Sequence, residues 1–195
     1  MSLRVLVIPE DPTNDQHVLK PICEKLFEEL GRRARIEILK DPHLRGVTEA
    51  LDPAQVRAIV DENEMIDLFL LLVDRDGRGP SPRLGNTNQA RAREQDHPGR
   101  LIACLAVEEV EVWLLALHRD TLEARWPEVR SHEDSKEAYF DPLMARRGWT
   151  GEVGGGRKRA MRELGARWRG LLEVCDELRE LRDRLGAWLA SHPEG

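Results

Sequence analysis

The sequence predicts an α/β protein with a layered, mainly parallel central sheet flanked by helices and followed by a C-terminal helical extension. Three observations support this fold class. Short apolar runs alternate with amphipathic segments through the first 120 residues. Residues 67–73 are almost continuously apolar, which is typical of a central strand covered on both faces. From Thr121 the chain becomes rich in Arg, Glu and Trp at helical spacing. We therefore expect an α/β domain over residues 1–120 and a helical extension packed on it over residues 121–195.

The individual elements of the α/β domain follow from local pattern. Strands are predicted from short apolar, often β-branched runs, at residues 3–8, 34–39, 67–73 and 100–107. Helices are predicted from apolar residues three and four apart, at residues 16–30, 53–63, 86–95 and 109–117. Pro9 stops the first strand, and Gly31 ends the first helix. Pro21 lies within that helical pattern and starts or kinks the helix. Asp52 and Pro53 form an N-cap and first-turn pair for the second helix.

The extension contains one strictly periodic apolar stripe. Its residues repeat at spacings of three and four: Leu171, Val174, Leu178, Leu181, Leu185 and Trp188. This is the a/d pattern of about three heptads. A helix that packs its stripe on a neighbouring helix or on the sheet is the favoured interpretation. The alternative is an intermolecular coiled coil, which would make a homodimer through the C-terminal helices.

The composition of the chain argues against some classes of function. The chain has 36 acidic and 30 basic residues, a formal net charge of −6, which argues against a general nucleic-acid-coating protein. The three cysteines are dispersed without metal-ligand spacing, as in cytoplasmic proteins with reduced thiols. No apolar stretch has the length of a transmembrane helix, so no membrane association is expected.

Carboxylates follow three of the four predicted strands. They are Glu10 and Asp11, then Asp74 and Asp76, then Glu108, Glu109 and Glu111. The carboxyl ends of parallel strands lie at one edge of a sheet, where functional groups collect. Mg²⁺ and Mn²⁺ take hard oxygen ligands, often only one or two carboxylates. A metal site is therefore predicted at this edge, although Asp74 and Asp76 by themselves are equally consistent with a solvated turn.

Three segments in this order resemble a Toprim domain, the catalytic module of topoisomerases, bacterial primases and OLD-type nucleases. They are "VIPEDPTND" from Val7, "LLLVDRDG" from Leu70 and "LAVEEVEVWLLAL" from Leu105. The third is similar to the Glu–x–Trp helix of a group of uncharacterised bacterial Toprim-related proteins. The resemblance covers about residues 1–120 and implies a Toprim or Rossmann-like sheet.

The resemblance also implies roles for individual residues. Glu10 would be the general acid/base, and Asp74 and Asp76 would hold Mg²⁺ or Mn²⁺. Glu111, or else Glu108, would be a further acidic group, which places Glu111 among the predicted metal ligands. The implied activity is metal-dependent nuclease or phosphoryl-transfer chemistry, with DNA or RNA as the partner.

The first segment departs from the Toprim pattern at two positions. Asp11 stands where glycine usually follows the glutamate, and Asn14 stands where an acidic residue usually follows the threonine, here Thr13. Two other functions therefore stay open. One is a non-catalytic module for metal or nucleotide binding or for assembly. The other is a phosphatase similar to haloacid dehalogenases, in which Asp74 would be the nucleophile.

Several further residues are candidates for auxiliary or phosphate contacts: Asp11, Thr13, Arg75, Glu108, Lys136 and Lys158. Lys158 lies in "GEVGGGRKRA", residues 151–160, which fits neither the P-loop nor the dinucleotide-binding pattern. A flexible linker into a solvated basic helix is the favoured interpretation of this segment. An anion site is the alternative.

Overall fold

The computed structural model describes residues 2–75 and 80–192. Its centre is a four-stranded, all-parallel sheet, as the sequence predicted. The strands are β1 (Leu3–Ile8), β2 (Ala34–Ile38), β3 (Leu68–Asp74) and β4 (Leu101–Ala106). Their order across the sheet is β2-β1-β3-β4. Val7 pairs with Leu70 between the two central strands, and Asp74 pairs with Ala106 between β3 and β4.

Helices cover both faces of the sheet and form the extension. Within the α/β domain they are α1 (Gln16–Glu29), α2 (Val47–Ala50), α3 (Pro53–Glu62), α4 (Pro80–Asp96) and α5 (Glu111–Leu117). In the extension they are α6 (Trp126–Ser131), α7 (Asp141–Arg146), α8 (Arg157–Ala160), α9 (Leu164–Val174) and α10 (Asp176–Ser191). Shorter 3₁₀ or π turns occupy Arg119–Thr121, Lys136–Phe140 and Met161–Glu163.

The central strands explain why the sheet is buried on both faces. Alternate residues of β1 and β3 enter two apolar clusters on opposite faces. Val5 and Leu70 face the cluster that contains α1, α5, α9 and α10, whereas Leu71 faces α3. A strand covered in this way must be apolar at every position, as β3 is from Leu68 to Val73.

The structure departs from the predicted elements at four places by more than one residue at an end or in the number of helices. α4 begins at Pro80, before the expected residue 86, and α5 begins at Glu111, after the expected residue 109. α2 was not predicted, because four residues carry no helical period. The single helix expected across the C-terminal stripe is two helices that separate at Cys175. The spacing continues across this break because both helices face the same core.

The C-terminal stripe is buried within the chain, which confirms the favoured interpretation. Leu171, Leu178 and Leu185 are fully buried in the cluster that also contains α1 and α5. The stripe therefore leaves no free seam for a coiled coil, and the predicted homodimer gains no support from it.

The three cysteines, Cys23, Cys104 and Cys175, are free and buried. Burial raises the pKa of each thiol, so each is an un-ionised core side chain. Across residues 2–75 and 80–192, no helix has both the length and the apolar character required to span a bilayer.

Candidate functional site

The sheet order brings the ends of three strands to one place. Because β3 lies between β1 and β4, Glu10 after β1 and Glu111 after β4 both lie beside Asp74 at the end of β3. The charges of Glu10, Glu111 and Asp15 all act on Asp74. We call these four residues, Glu10, Asp15, Asp74 and Glu111, the acidic centre.

Asp74 is a strongly perturbed member of the acidic centre. Burial raises its pKa well above the ordinary value, and the negative charges of Glu10, Glu111 and Asp15 raise it further. One oxygen, Oδ1, accepts a hydrogen bond from the Val110 backbone N–H at 2.8 Å, which partly opposes this rise. A cation bound beside Asp74 would oppose this rise in its pKa.

Asp15 is a member that the sequence analysis did not select. It is only 5% exposed, and its Oδ2 accepts a hydrogen bond from the Asp11 backbone N–H at 3.1 Å. Burial, opposed by that bond, and then the charges of Glu111, Glu10 and Asp11 raise its pKa to about 8. The signal in the sequence was its spacing of four residues from Asp11, which closes the turn into α1.

Asp11 stabilises the same turn through its side chain. Its carboxylate accepts hydrogen bonds from the backbone N–H groups of Thr13 (2.8 Å) and Asn14 (3.2 Å) and from the Asn14 side chain (2.8 Å). Burial raises the pKa of Asp11, but these bonds and the charge of Arg157 lower it below the ordinary value overall. Asp11 and Thr13 are thus turn-forming residues at the edge of the acidic centre.

Glu111 is joined to the extension by a buried ion pair. Arg157, at the start of α8, donates to Glu111 Oε1 through Nε at 3.0 Å and also through Nη2. Glu111 is 4% exposed and Arg157 is 6% exposed. Arg157 Nη1 donates to the Gly154 carbonyl at 3.0 Å, and its guanidinium lies 4.7 Å from the centre of the Phe140 ring. The extension therefore supplies a cation to the acidic centre, which periodicity within the sequence could not reveal.

The segment that carries Arg157 differs from the expected linker. Residues 151–156, which we call the glycine turn, pack against the first turn of α1 and against α7. Gly154, Gly155 and Gly156 all have positive φ, at 65°, 60° and 91°. A Cβ at Gly154 would lie 2.3 Å from His17 Cδ2. The favoured interpretation holds only in part: Lys158 and Arg159 are exposed as expected of a solvated basic helix, whereas Arg157 is buried and the turn is packed at Gly154 and Gly156.

Glu108 pairs with arginine side chains and not with members of the acidic centre. It is 2% exposed and pairs with Arg75, the residue after Asp74, and with Arg83 Nε at 2.8 Å. Glu108 thus holds the end of β3 to the first turns of α4. Arg75 is committed to this ion pair, so its charge is already compensated.

Lys136 is positioned by its backbone and not by its side chain. Its backbone N–H donates to Glu109 at 2.7 Å, as does the Ser135 hydroxyl at 2.8 Å. Its Nζ lies 3.9 Å from Glu137 and is 40% exposed at the side-chain level. Burial raises the pKa of Glu109, these two bonds oppose the rise, and the charge of Glu111 adds to it.

The acidic centre offers the donor chemistry that Mg²⁺ or Mn²⁺ takes. Its carboxylates repel one another, and a divalent cation would relieve that repulsion. Within residues 2–75 and 80–192, no three His, Cys, Asp or Glu side chains form a ready-made metal cage. Mg²⁺ is commonly held by one or two carboxylates and keeps several waters. Asp76, the other predicted metal ligand, lies outside the described residues.

A separate cavity of about 770 Å³ follows the outer edge of β4 between α4 and α10. There the Ala103 N–H donates to Glu94 at 3.0 Å, and the Ala103 carbonyl accepts from Arg184 at 2.8 Å. Glu94 and Arg184 also pair with each other. Glu94 and Arg184 thus satisfy the backbone hydrogen-bonding groups of Ala103 at the free edge of the sheet. This protects the edge of β4 from pairing with another strand.

No protein-family model matches the chain, and comparisons with curated proteins and with solved structures found no match. Functional inference therefore depends on the geometry of the acidic centre.

Proposed function

We propose that this protein is a Mg²⁺- or Mn²⁺-dependent phosphodiesterase of Toprim type that acts on nucleic acid. The observation that supports it is the convergence of four carboxylates from three strand ends. Burial and mutual repulsion raise the pKa of Asp74 and of Asp15 there. Such a cluster destabilises a fold unless it serves a ligand, and strongly perturbed groups of this kind concentrate at functional sites.

Three members of the acidic centre would have distinct tasks in phosphodiester hydrolysis. Asp74 would hold the metal together with Asp76, the ligand that the motif supplies. A bound Mg²⁺ would polarise the phosphate and stabilise the charge that develops during transfer. Glu10, half-buried at the end of β1, would accept the proton of the attacking water. Glu111 would anchor Arg157 beside them and supply negative charge.

A non-catalytic metal- or nucleotide-binding module is the second candidate. Two observations favour it. The buried Glu111 is already compensated by Arg157, and Asp11 closes the first turn where a phosphate-binding loop would have glycine. The phosphatase alternative is weaker, because the motif of such phosphatases lies on the first strand, whereas Asp74 ends β3, the third strand along the chain.

Substitution of Glu10 by Gln and of Asp74 by Asn tests the proposal. Single-stranded DNA, RNA and p-nitrophenyl phosphate would each be offered with Mg²⁺ or Mn²⁺. We expect cleavage of a nucleic acid that each variant loses by about 100-fold or more, since general acid–base groups contribute that much. Glu62→Gln, on the exposed end of α3, is the matched control and should keep full activity.

The same experiment separates the alternatives. Hydrolysis of p-nitrophenyl phosphate alone would favour the phosphatase. A Mg²⁺-dependent rise in Tm without any hydrolysis would indicate the non-catalytic module. Absence of both hydrolysis and a thermal shift in the wild-type protein would refute the proposal that the protein is a metal-dependent phosphodiesterase.

A further inference from the structure

Arg157 is a cation that the fold holds in a fixed position at the acidic centre. Its guanidinium donates to Glu111 Oε1 through Nε at 3.0 Å and also through Nη2, and Nη1 donates to the Gly154 carbonyl at 3.0 Å. The guanidinium also lies 4.7 Å from the centre of the Phe140 ring, and Arg157 is only 6% exposed. Because a guanidinium stays protonated in proteins, this positive charge is a permanent part of the site.

The backbone before Arg157 is shaped to place it there. Gly156 has a φ of 91°, a left-handed conformation that disfavours a side chain. A Cβ at Gly156 would lie 2.6 Å from Met144 Sδ and 3.0 Å from the Trp149 carbonyl. The extension therefore enters α8 in a defined conformation, which brings Arg157 against Glu111.

Glu111 connects this positive charge to the other carboxylates. The negative charge of Glu111 raises the pKa of Asp74 and of Asp15, so Glu111 lies within electrostatic reach of both. The charge of Arg157 in turn lowers the pKa of Asp11. Among residues 2–75 and 80–192, both donors to Glu111 are groups of Arg157, and both bond to Oε1. Glu111 is therefore paired with a monovalent cation but keeps one oxygen, Oε2, without a described donor.

We propose that Arg157 is a resident counter-cation, which weakens the binding of Mg²⁺ or Mn²⁺ at the acidic centre and limits the centre to a single divalent cation. This inference rests on the proposed function and adds the part that the extension has in it. In two-metal sites the ions lie roughly 4 Å apart, so their mutual repulsion must be offset by several carboxylates. A positive charge bound to Glu111 removes one of the four from this task and repels each divalent cation that approaches.

Mn²⁺ binding to the full chain tests this role without catalysis. Electron paramagnetic resonance at neutral pH would count the bound ions and give their affinity. We expect one Mn²⁺ in the wild type and much weaker binding in Asp74→Asn, which assigns the ion to the acidic centre. Arg157→Met removes the positive charge and keeps a long side chain, so Mn²⁺ should bind at least about tenfold more tightly.

Arg182→Met is the matched control for the loss of a paired arginine. Arg182 pairs with Glu29, the last residue of α1, whereas Asp15 directly precedes the first residue of this helix. The two ends of α1 are about 20 Å apart. We therefore expect the affinity for Mn²⁺ to stay at the wild-type value in this variant.

A second pair of variants avoids an unpaired buried charge in the final protein. Arg157→Met leaves Glu111 buried without its partner, which destabilises the fold. The same substitution would therefore also be made in Glu111→Gln, where neither charge remains. We expect this double variant to bind Mn²⁺ about tenfold more tightly than Glu111→Gln alone. Loss of an arginine with a merely structural role would change stability but not this ratio.

The outcomes separate this inference from the proposed function. Equal or weaker Mn²⁺ binding without Arg157 in both backgrounds, an equal gain in Arg182→Met, or two Mn²⁺ ions in the wild type overturns the inference and leaves the phosphodiesterase standing. Mn²⁺ binding that occurs only when Arg157 is removed supports the inference and refutes a metal-dependent phosphodiesterase. Absence of Mn²⁺ binding in every variant, or binding that Asp74→Asn leaves unchanged, refutes both.

Discussion

Asp15 and Asp74 are the two residues at which the acidic centre works against the stability of the fold. Each is a buried carboxyl whose pKa is raised by burial and by neighbouring negative charges. In the unfolded chain an aspartate ionises near pH 4, whereas Asp15 in the folded chain ionises near pH 8. Between these values the folded state retains a proton that the unfolded state has lost. Stability therefore falls as pH rises through this window.

Asp15→Asn should remove part of this pH dependence. The amide keeps the acceptor for the Asp11 N–H but does not ionise. Each pH unit of the window costs about 1.4 kcal/mol per buried carboxyl, so between pH 5 and pH 8 the wild type should lose a few kcal/mol of stability relative to the variant. Urea unfolding at several pH values measures the slope.

Glu62→Gln, on the exposed end of α3, should leave the slope unchanged. Millimolar Mg²⁺ should reduce the wild-type slope as the substitution does, since a cation compensates for the same charges. Equal changes in the stability of the wild type and of Asp15→Asn from pH 5 to pH 8 would contradict this account.

The glycine turn is the element that joins the extension to the α/β domain at the site. Its three consecutive left-handed residues are a conformation that side chains resist. At Gly154 the resistance has a second cause, the close approach of His17. The sequence showed the glycines, but their conformation depends on which surface they meet.

Gly154→Ala should destabilise the protein, and Gly151→Ala should not. The left-handed backbone costs about 1–2 kcal/mol, and crowding of His17 adds a similar amount. A Cβ at Gly151 has nothing within 4 Å. Thermal unfolding would give the Tm of each variant, and both substitutions lie in the same turn. Equal Tm values would show that the turn is not packed as described.

At the scale of the whole molecule, the extension shares one core with the α/β domain. The larger apolar cluster runs from β1 and α1 through Trp113 of α5 to Trp188 of α10. Hydrogen bonds also join the extension to the α/β domain. Glu177 of α10 accepts from Trp113 Nε1 at 2.7 Å and from Arg130 Nη1 at 2.9 Å. Trp168 Nε1 donates to Glu29 of α1 at 2.5 Å.

Residues 1–120 alone should therefore fail to fold. Removal of the extension exposes the apolar faces of α1 and α5 and leaves Glu111 buried without Arg157. We expect the full chain to unfold in one cooperative transition and the shortened chain to show neither a transition nor a near-ultraviolet circular dichroism signal.

Calorimetry and circular dichroism compare the two chains. Two resolved transitions in the full chain, or cooperative unfolding of residues 1–120, would mean that the domain and the extension are independent.

Local pattern was sufficient for much of this protein. It predicted the four parallel strands, the helices between them, and the carboxylates Glu10, Asp74 and Glu111 at one sheet edge. These follow from sequence because burial imposes a period on neighbouring residues and because parallel strands end on the same side.

Only the tertiary structure decided which charges meet. Arg157 reaches Glu111 across 46 residues, Asp15 turns inward beside Asp74, and the C-terminal stripe is divided at Cys175. Periodicity reports which side of an element is buried, but not which partner lies against it. Partners depend on how the elements pack, and at this site packing determines both the repulsion between the carboxylates and the cation that compensates for part of it.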